Sequence, residues 1–362
     1  MQDYLDLLKR LLSEGDRQYN ERTGHLMIGK NGHQLCCDLR EGFPALTTKR
    51  LHFKSYAEEM FWMMRGERNI KTLVDKGVRI WNDNAYDLYL RRQGLTGRIR
   101  KHTQEWEDGF KEYVNRIKNE PEFARTEGDA GPIYGFKWRS WETRGGGKID
   151  QLKDRIIENL KKQKGTRYAL MHAWDPEDIE KMALAPCHVW YQYAVFEDNF
   201  LDLHMMQRSC DTFLGVPFNR TGPAIQQTLI ARELGLEPRE LYHTLVNVHL
   251  YGGVSPRSSF LKDDNNFREF RNKVKEAAKP EDYLEIRKWY LDKAPDEGKL
   301  NGGKDHIPFV LEQLSYQPLT LPRLKVTSGL PLFELIERPA EEVLKLEDYN
   351  CHNWDSRARM AA

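Results

Sequence analysis

The chain has 362 residues, 40% hydrophobic and 31% charged, with 56 Lys and Arg against 55 Asp and Glu. That length buries an ample core, as one large domain or two modest ones, and the even charge balance excludes a general nucleic-acid binder, which carries a basic excess. The five cysteines (Cys36, Cys37, Cys187, Cys210 and Cys351) form no CxxC pair, no metal-ligand spacing and no disulfide framework, and so fit a reducing compartment.

Residues 2–14 carry apolar side chains at helical spacing among charges, which predicts an amphipathic helix rather than a signal peptide. No apolar run approaches the roughly 18 residues that span a bilayer, so a cytoplasmic protein is expected, in a cell or in a viral host. HLMIGKNGHQLCCDLR reads as two short strands about the turn KNG. FKSYAEEMFWMMRG reads as a helix closed by Gly66. Residues 85–130 are polar, charged and partly helical, an inserted surface segment. DQLKDRIIENLKKQ is a further amphipathic helix.

TRYALMHAW, HVWYQYAVF and FLDLHMMQR follow as successive strands, and GPAIQQTLIARELGL as a helix. Residues 254–306 are a second charged insertion, read as a solvated helical hairpin. PRLKV and LPLFELI suggest strand and loop before a polar tail. Without strict βαβ alternation, the pattern predicts an α+β fold with helices packed on a large mixed sheet.

Two stretches carry the chemistry. Cys187, in MALAPCHVWYQYAVF, is either a small buried strand residue or a nucleophile. His188 is adjacent on a strand and points to the opposite face, so any activating group comes from another segment. MMQRSCDTFLGVPFN brings Gln207, Arg208, Ser209, Asp211 and Asn219 into one span. An Arg-Ser pair holds a phosphate or a thiolate by charge-assisted hydrogen bonds. Asn219 offers donor and acceptor on one plane, which suits a pyrimidine edge. In NVHLYGG, His249 and Tyr251 share one face of a strand and suit a sugar hydroxyl. Taken singly, each of these residues also has an ordinary structural reading.

Taken together, ERTGHLMI, FPALTTKRLHFKSYAEEMFWMMRGERNI, GVRIWNDNA, GPIYGFKWR, MALAPCHVWYQY, QRSCDTFLGVPFN, HLY and the terminal MAA resemble the thymidylate synthase family, in that family's order. The resemblance implies a sheet-mediated homodimer that transfers one carbon from 5,10-methylenetetrahydrofolate to C5 of dUMP. Cys187 would attack C6, with Arg208 beside the sulfur favouring thiolate. Arg22, Arg208 and Ser209 would hold the phosphate, together with Arg167 donated by the partner subunit. Gln207 would bind the substrate, Asn219 would pair with the uracil edge, and His249 and Tyr251 would contact the ribose. Glu59, Tyr134 and His188 would form the proton-transfer network. His52, Glu59, Trp81, Asn84, Asp211, Gly215, Phe218 and the terminal Ala362 would face the folate. No metal is called for, nor a membrane or nucleic-acid partner. The whole chain is expected to be one catalytic domain interrupted at about 85–130 and 254–306.

Several positions depart from the family pattern. Tyr168 stands where a second arginine is usual, and Arg220-Thr221-Gly222-Pro223 follows Asn219. Val246-Asn247 replaces Gly-Asp, Gly252-Gly253 stands where a polar loop with Asn-His begins, and the tail YNCHNWDSRARMAA is altered. In this family the intermediate takes hydride to give a methyl group, or water to give a hydroxymethyl group, and exclusion of water decides between them. The altered tail and the wall near Arg220 lead to the expectation of a dUMP hydroxymethylase, an activity found in viruses that replace thymine. Ordinary methylation is the alternative. A cytidylate-acting relative and a non-catalytic nucleotide- or RNA-binding homologue are further readings.

Overall fold

A computed structural model describes the chain except for residues 22–23, 102, 299–301 and 360–362. Its frame is a six-stranded mixed sheet. In spatial order the strands are Asp16–Asn20, His25–Asp38, Glu237–Tyr251, Phe200–Asp211, His188–Phe196 and Leu170–His172. All neighbours are antiparallel except Phe200–Asp211 with Glu237–Tyr251. The helix Gly215–Glu233 connects those two, the crossover that a parallel pair requires. The α+β class expected from the sequence is the one observed.

Period-two alternation sorts the two faces of the sheet. Leu201, Leu203, Met205, Leu241 and Leu245 are fully buried on the side where the helices Gly215–Glu233 and Gln2–Glu14 pack. In Gln2–Glu14, Leu8, Leu11 and Leu12 have no exposed surface, and each such burial contributes roughly 1.5–3 kcal/mol. On the opposite face Gln34, Trp190, Gln192, His204, Tyr242 and Thr244 remain partly or fully exposed.

Three local readings change. His25–Asp38 is one continuous strand: Gly32 has φ +86, yet Asn31 and His33 still pair with Asn247 and Leu245. Pairing along a 15-residue neighbour outweighs the turn tendency of KNG. DQLKDRIIENLKKQ begins as a π-helical turn over Gln151–Ile157 before Glu158–Lys162. LPLFELI contributes a short helix, Leu332–Leu335, while Arg323–Val326 pairs with Leu344–Glu347.

The first charged segment folds as Asn82–Arg92, Gln104–Asn119 and Pro121–Glu127 around its own aromatic cluster. Tyr86 packs on Trp106 and Tyr113, and Tyr89 on Phe123. The second folds as the hairpin Asp264–Glu276 and Pro280–Lys293. It leaves the sheet after Gly252 and returns beside it, through a bridge between Gly252 and Asp305 and a His306 N–H donated to Tyr251 O at 2.9 Å. Among the described residues, no helix is long and apolar enough to cross a membrane.

Candidate active site

Cys187 sits half-buried at the mouth of the His188–Phe196 strand. Its backbone N–H donates to the Tyr134 hydroxyl at 2.7 Å, and its carbonyl accepts from Arg208 N at 2.9 Å. Arg208 donates from Nε to Pro186 O and from Nη2 to Ala185 O, both at 2.9 Å. Two consecutive carbonyls therefore hold the guanidinium beside the residue that carries the thiol. Trp174 backs it, 5.2 Å from the ring centroid.

Tyr134 joins this corner to two others. Its ring meets Trp81 at 5.8 Å and His188 at 5.5 Å, both edge-on. Burial raises its phenol pKa well above normal, and the Cys187 thiol adds to that. Trp81, only 3% exposed, donates its indole N–H to Glu59 Oε1 at 2.9 Å. Burial pushes the Glu59 carboxyl up to about 7, although the Trp81 hydrogen bond opposes the rise. Glu59 is thus poised to exchange a proton near neutrality. His188 Nδ1 pairs with the Tyr191 hydroxyl at 2.7 Å. Burial lowers its pKa to about 4, with Asn219 opposing, so the ring is neutral.

Asn219 lies on the Gly215–Glu233 helix, which begins earlier than its apolar periodicity suggests. Its Oδ1 accepts from Gln207 Nε2 at 3.0 Å. Gln207, buried, also donates to Ser209 O at 2.8 Å and accepts at Oε1 from His243 Nε2 at 2.8 Å. This relay fixes which end of the Asn219 amide is carbonyl. Gly215 makes room for it, because a Cβ there would sit 3.3 Å from Asn219 Oδ1 and 3.5 Å from Asp211 Cβ.

His249 and Tyr251 do share a face, with ring centroids 5.1 Å apart. Asn247 Oδ1 lies 2.8 Å from His249 Nδ1. The amide oxygen accepts from Nδ1–H, which leaves His249 Nε2 as an acceptor. Asn247 thus orients the imidazole in place of the usual aspartate. Asp211 Oδ1 accepts the N–H groups of Phe213 and Leu214 at 3.0 and 3.1 Å. Near it lies His306, 3.8 Å from Nδ1 to Oδ1, a residue that sequence reading missed. Where an Asn-His pair is expected directly after Tyr251, the chain carries Asp305-His306, displaced by the whole second insertion.

His52 caps the Phe53–Arg65 helix and is exposed, Asn84 is half-buried, and Phe218 packs edge-on against Tyr56 at 5.9 Å. Arg167 is exposed, and its carbonyl accepts from Gln192 Nε2 at 3.3 Å. That lies about five residues, or roughly 16 Å, along the strand from Cys187 of the same chain. Arg22 and Ala362 lie outside the described residues.

Two of the departures look different in three dimensions. Arg220 points away from Asn219 into the protein. Its Nη2 donates to Asp3 Oδ2 at 2.8 Å and to Cys36 O at 2.7 Å, so it ties the helix to the N-terminal helix. The tail is fastened down. The Tyr349 hydroxyl accepts from Leu51 N and donates to Leu46 O, both at 2.8 Å. His352 N donates to Thr47 O, and Trp354 Nε1 to Thr48 O, also at 2.8 Å.

Comparison with known proteins agrees with this geometry. The family model described as Thymidylate synthase matches residues 2–362. A protein named thymidylate synthase from Mesoplasma florum is 39% identical over 352 residues, with 97% of each chain covered. Proteins of the same name from Listeria monocytogenes and Mycoplasma genitalium are 41% and 38% identical; each match covers 69% of this chain, and 82% and 81% of the relative. All three are bacterial and carry the name of the methylating enzyme, so they lend nothing to a viral source or to hydroxymethylation. They favour the alternative, ordinary methylation.

Proposed function

The chain belongs to the thymidylate synthase family, and on that premise we propose that it methylates dUMP at C5 and releases dihydrofolate. The family's enzymes bind dUMP and use 5,10-methylenetetrahydrofolate as cosubstrate, which supplies both the carbon and the hydride. The observation that carries methylation over water capture is the docked tail. Tyr349, His352 and Trp354 bond to residues 46–51 beside His52, and a closed wall excludes the water that would compete with hydride. The Arg220–Asp3 pair removes the other reason for expecting hydroxymethylation.

In this reading the Cys187 thiolate adds to C6, favoured by the Arg208 cation beside it. Glu59 and Tyr134 move protons at the ring, and His188, neutral, completes that network. Asn219 selects uracil: its oxygen, fixed by Gln207, accepts from N3–H while its NH2 donates to O4. Cytosine presents the opposite pattern at these two atoms and would require flipping an amide that Gln207 holds. His249 Nε2 accepts from the ribose hydroxyl beside Tyr251.

Arg208, Ser209 and Arg22 receive the phosphate. The half-open sheet face packs on a second copy, which brings the partner subunit's Arg167 to this phosphate. Asp211, Gly215, Phe218, His52, Asn84, Ala362 and the Trp81–Glu59 pair bound the folate. The whole chain, both charged segments included, acts as one catalytic domain.

Mass spectrometry of the nucleotide product, with dihydrofolate absorbance followed in the same tube, tests this. A methylated product with one dihydrofolate per turnover is expected. A hydroxymethylated product without dihydrofolate overturns the methylation reading. A covalent complex with 5-fluoro-dUMP and folate is expected with the wild type and lost in Cys187→Ala.

A further inference from the structure

One buried imidazole has no role in that scheme. His306 has no exposed surface, and its ring packs against Tyr251 and Phe213 with centroids 5.4 and 5.5 Å apart. Its Nε2 lies 2.8 Å from the carbonyl oxygen of Arg359 in the tail. A carbonyl only accepts, so Nε2 carries the proton. Burial lowers the His306 pKa, with Asp211 opposing, and the ring is neutral. Nδ1 is then a bare lone pair with no hydrogen-bond partner among the described residues, and it faces Asp211 Oδ1 at 3.8 Å, acceptor against acceptor. The other titratable groups around the ring are Lys49, Glu297, His249 and Tyr251. Lys49 is itself committed to Phe213 O.

The second insertion fixes where this ring stands. Asp305 accepts from the Tyr290 hydroxyl at 2.8 Å and from Ile307 N at 3.0 Å, and its own N–H donates to Glu297 Oε1 at 2.8 Å. Arg257 Nε is 3.7 Å from its carboxylate. Residues of the helical excursion therefore clamp the position just before His306.

We infer that His306 is a positioning residue for the folate: tail docking holds its proton on Nε2, so that Asp211 stays free to accept from the N–H edge of the folate. With the tail released, nothing holds the proton on Nε2. The Nδ1–H tautomer then gains a hydrogen bond to Asp211 and competes with the ligand. Tail docking and folate binding thus strengthen each other reciprocally. This rests on the reading above that Asp211 meets the folate.

The test compares two variants of the full-length enzyme. His306→Asn places an amide at the Nδ1 position, where its NH2 donates to Asp211, and no longer reaches Arg359. His306→Gln reaches Arg359 and presents no donor to Asp211. We expect His306→Asn to raise the folate KM about tenfold, within the usual range of coupling between sites, with dUMP affinity unchanged, and His306→Gln to stay within about twofold. Nitrogen-15 spectra of the unliganded wild type should show the Nε2–H tautomer. Trp354→Ala, which loosens the tail without touching His306, should shift the population toward Nδ1–H. An Nδ1–H wild type, or equal folate KM in both variants, overturns the inference. Failure of the wild type to trap 5-fluoro-dUMP with folate would instead sink the functional reading, and the inference with it. Normal trapping with equal KM values would sink the inference alone.

Discussion

The two charged segments look alike in sequence and do different work. The first, around residues 85–130, has a core of its own: Trp106 stacks on Phe110 at 5.0 Å and is 2% exposed. It meets the Cys187 loop at that loop's backbone, with Ala183 N donating to Ala130 O at 2.8 Å and the Arg91 guanidinium donating from Nη2 to Met182 O at 2.5 Å. The second packs on the N-terminal helix and reaches the site through the His306 imidazole, 3.8 Å from Asp211 Oδ1; Asp305 holds that imidazole from behind. A segment that touches a site through backbone supports its shape. One that touches it through an imidazole sets its protonation.

That contrast can be broken by substitution. Trp106→Ala should cost about 3–5 kcal/mol of stability, as loss of a buried indole does, read by chemical denaturation. The folded enzyme should keep its kcat and both KM values; a loss of catalysis in the folded fraction would place the first segment in the site. Tyr349→Phe should cost less, about 1–3 kcal/mol, by leaving Leu51 N–H and Leu46 C=O unpaired. It should also lower the dihydrofolate formed per nucleotide below one as the tail loosens and water enters; an unchanged ratio would detach the tail from product choice.

Asp305→Asn tests the ionisable side. Burial pushes the Asp305 carboxyl up to about 7. A carboxyl whose folded pKa lies above its unfolded value contributes stability that is full in acid and lost as pH rises through the folded pKa. The wild-type Tm should therefore fall between about pH 4 and pH 7 more than the variant's, and the difference should level off above that. Parallel curves would show that Asp305 does not titrate there. The smallest effect belongs to Arg116→Ala, which removes a guanidinium stacked 3.8 Å over Phe123. It should cost roughly 0.5–1 kcal/mol and leave turnover untouched.

The neighbourhood of Cys187 was legible because its parts are close in sequence. Residues 207–219 hold the relay from Gln207 to Asn219 within a strand and the start of the next helix, and Cys187 announces its own strand. The α+β class followed from the element pattern. What stayed hidden depends on distant pairing. KNG reads as a turn until a 15-residue partner strand holds it straight. Arg220 reads as an active-site change until the Asp3 carboxylate appears on the other side of its helix. Asp305-His306 reads as an unremarkable end of an insertion until the chain closes back on Gly252. Charge pattern gave no sign of that closure.

The bridge between Gly252 and Asp305 has a consequence for how this protein could be rebuilt. The excursion enters and leaves at adjacent points, so lengthening it at the exposed turn between its two helices changes only a loop-closure entropy that grows slowly, about 0.6 kcal/mol per doubling. The helices themselves must stay, because Phe270 and Tyr290 are fully buried and Tyr290 holds Asp305 in place. A graft that inserts a foreign domain at the exposed turn, around Ala278 and Lys279, should leave the sheet in register. The enzyme carries, in effect, a ready-made attachment port beside its N-terminal helix.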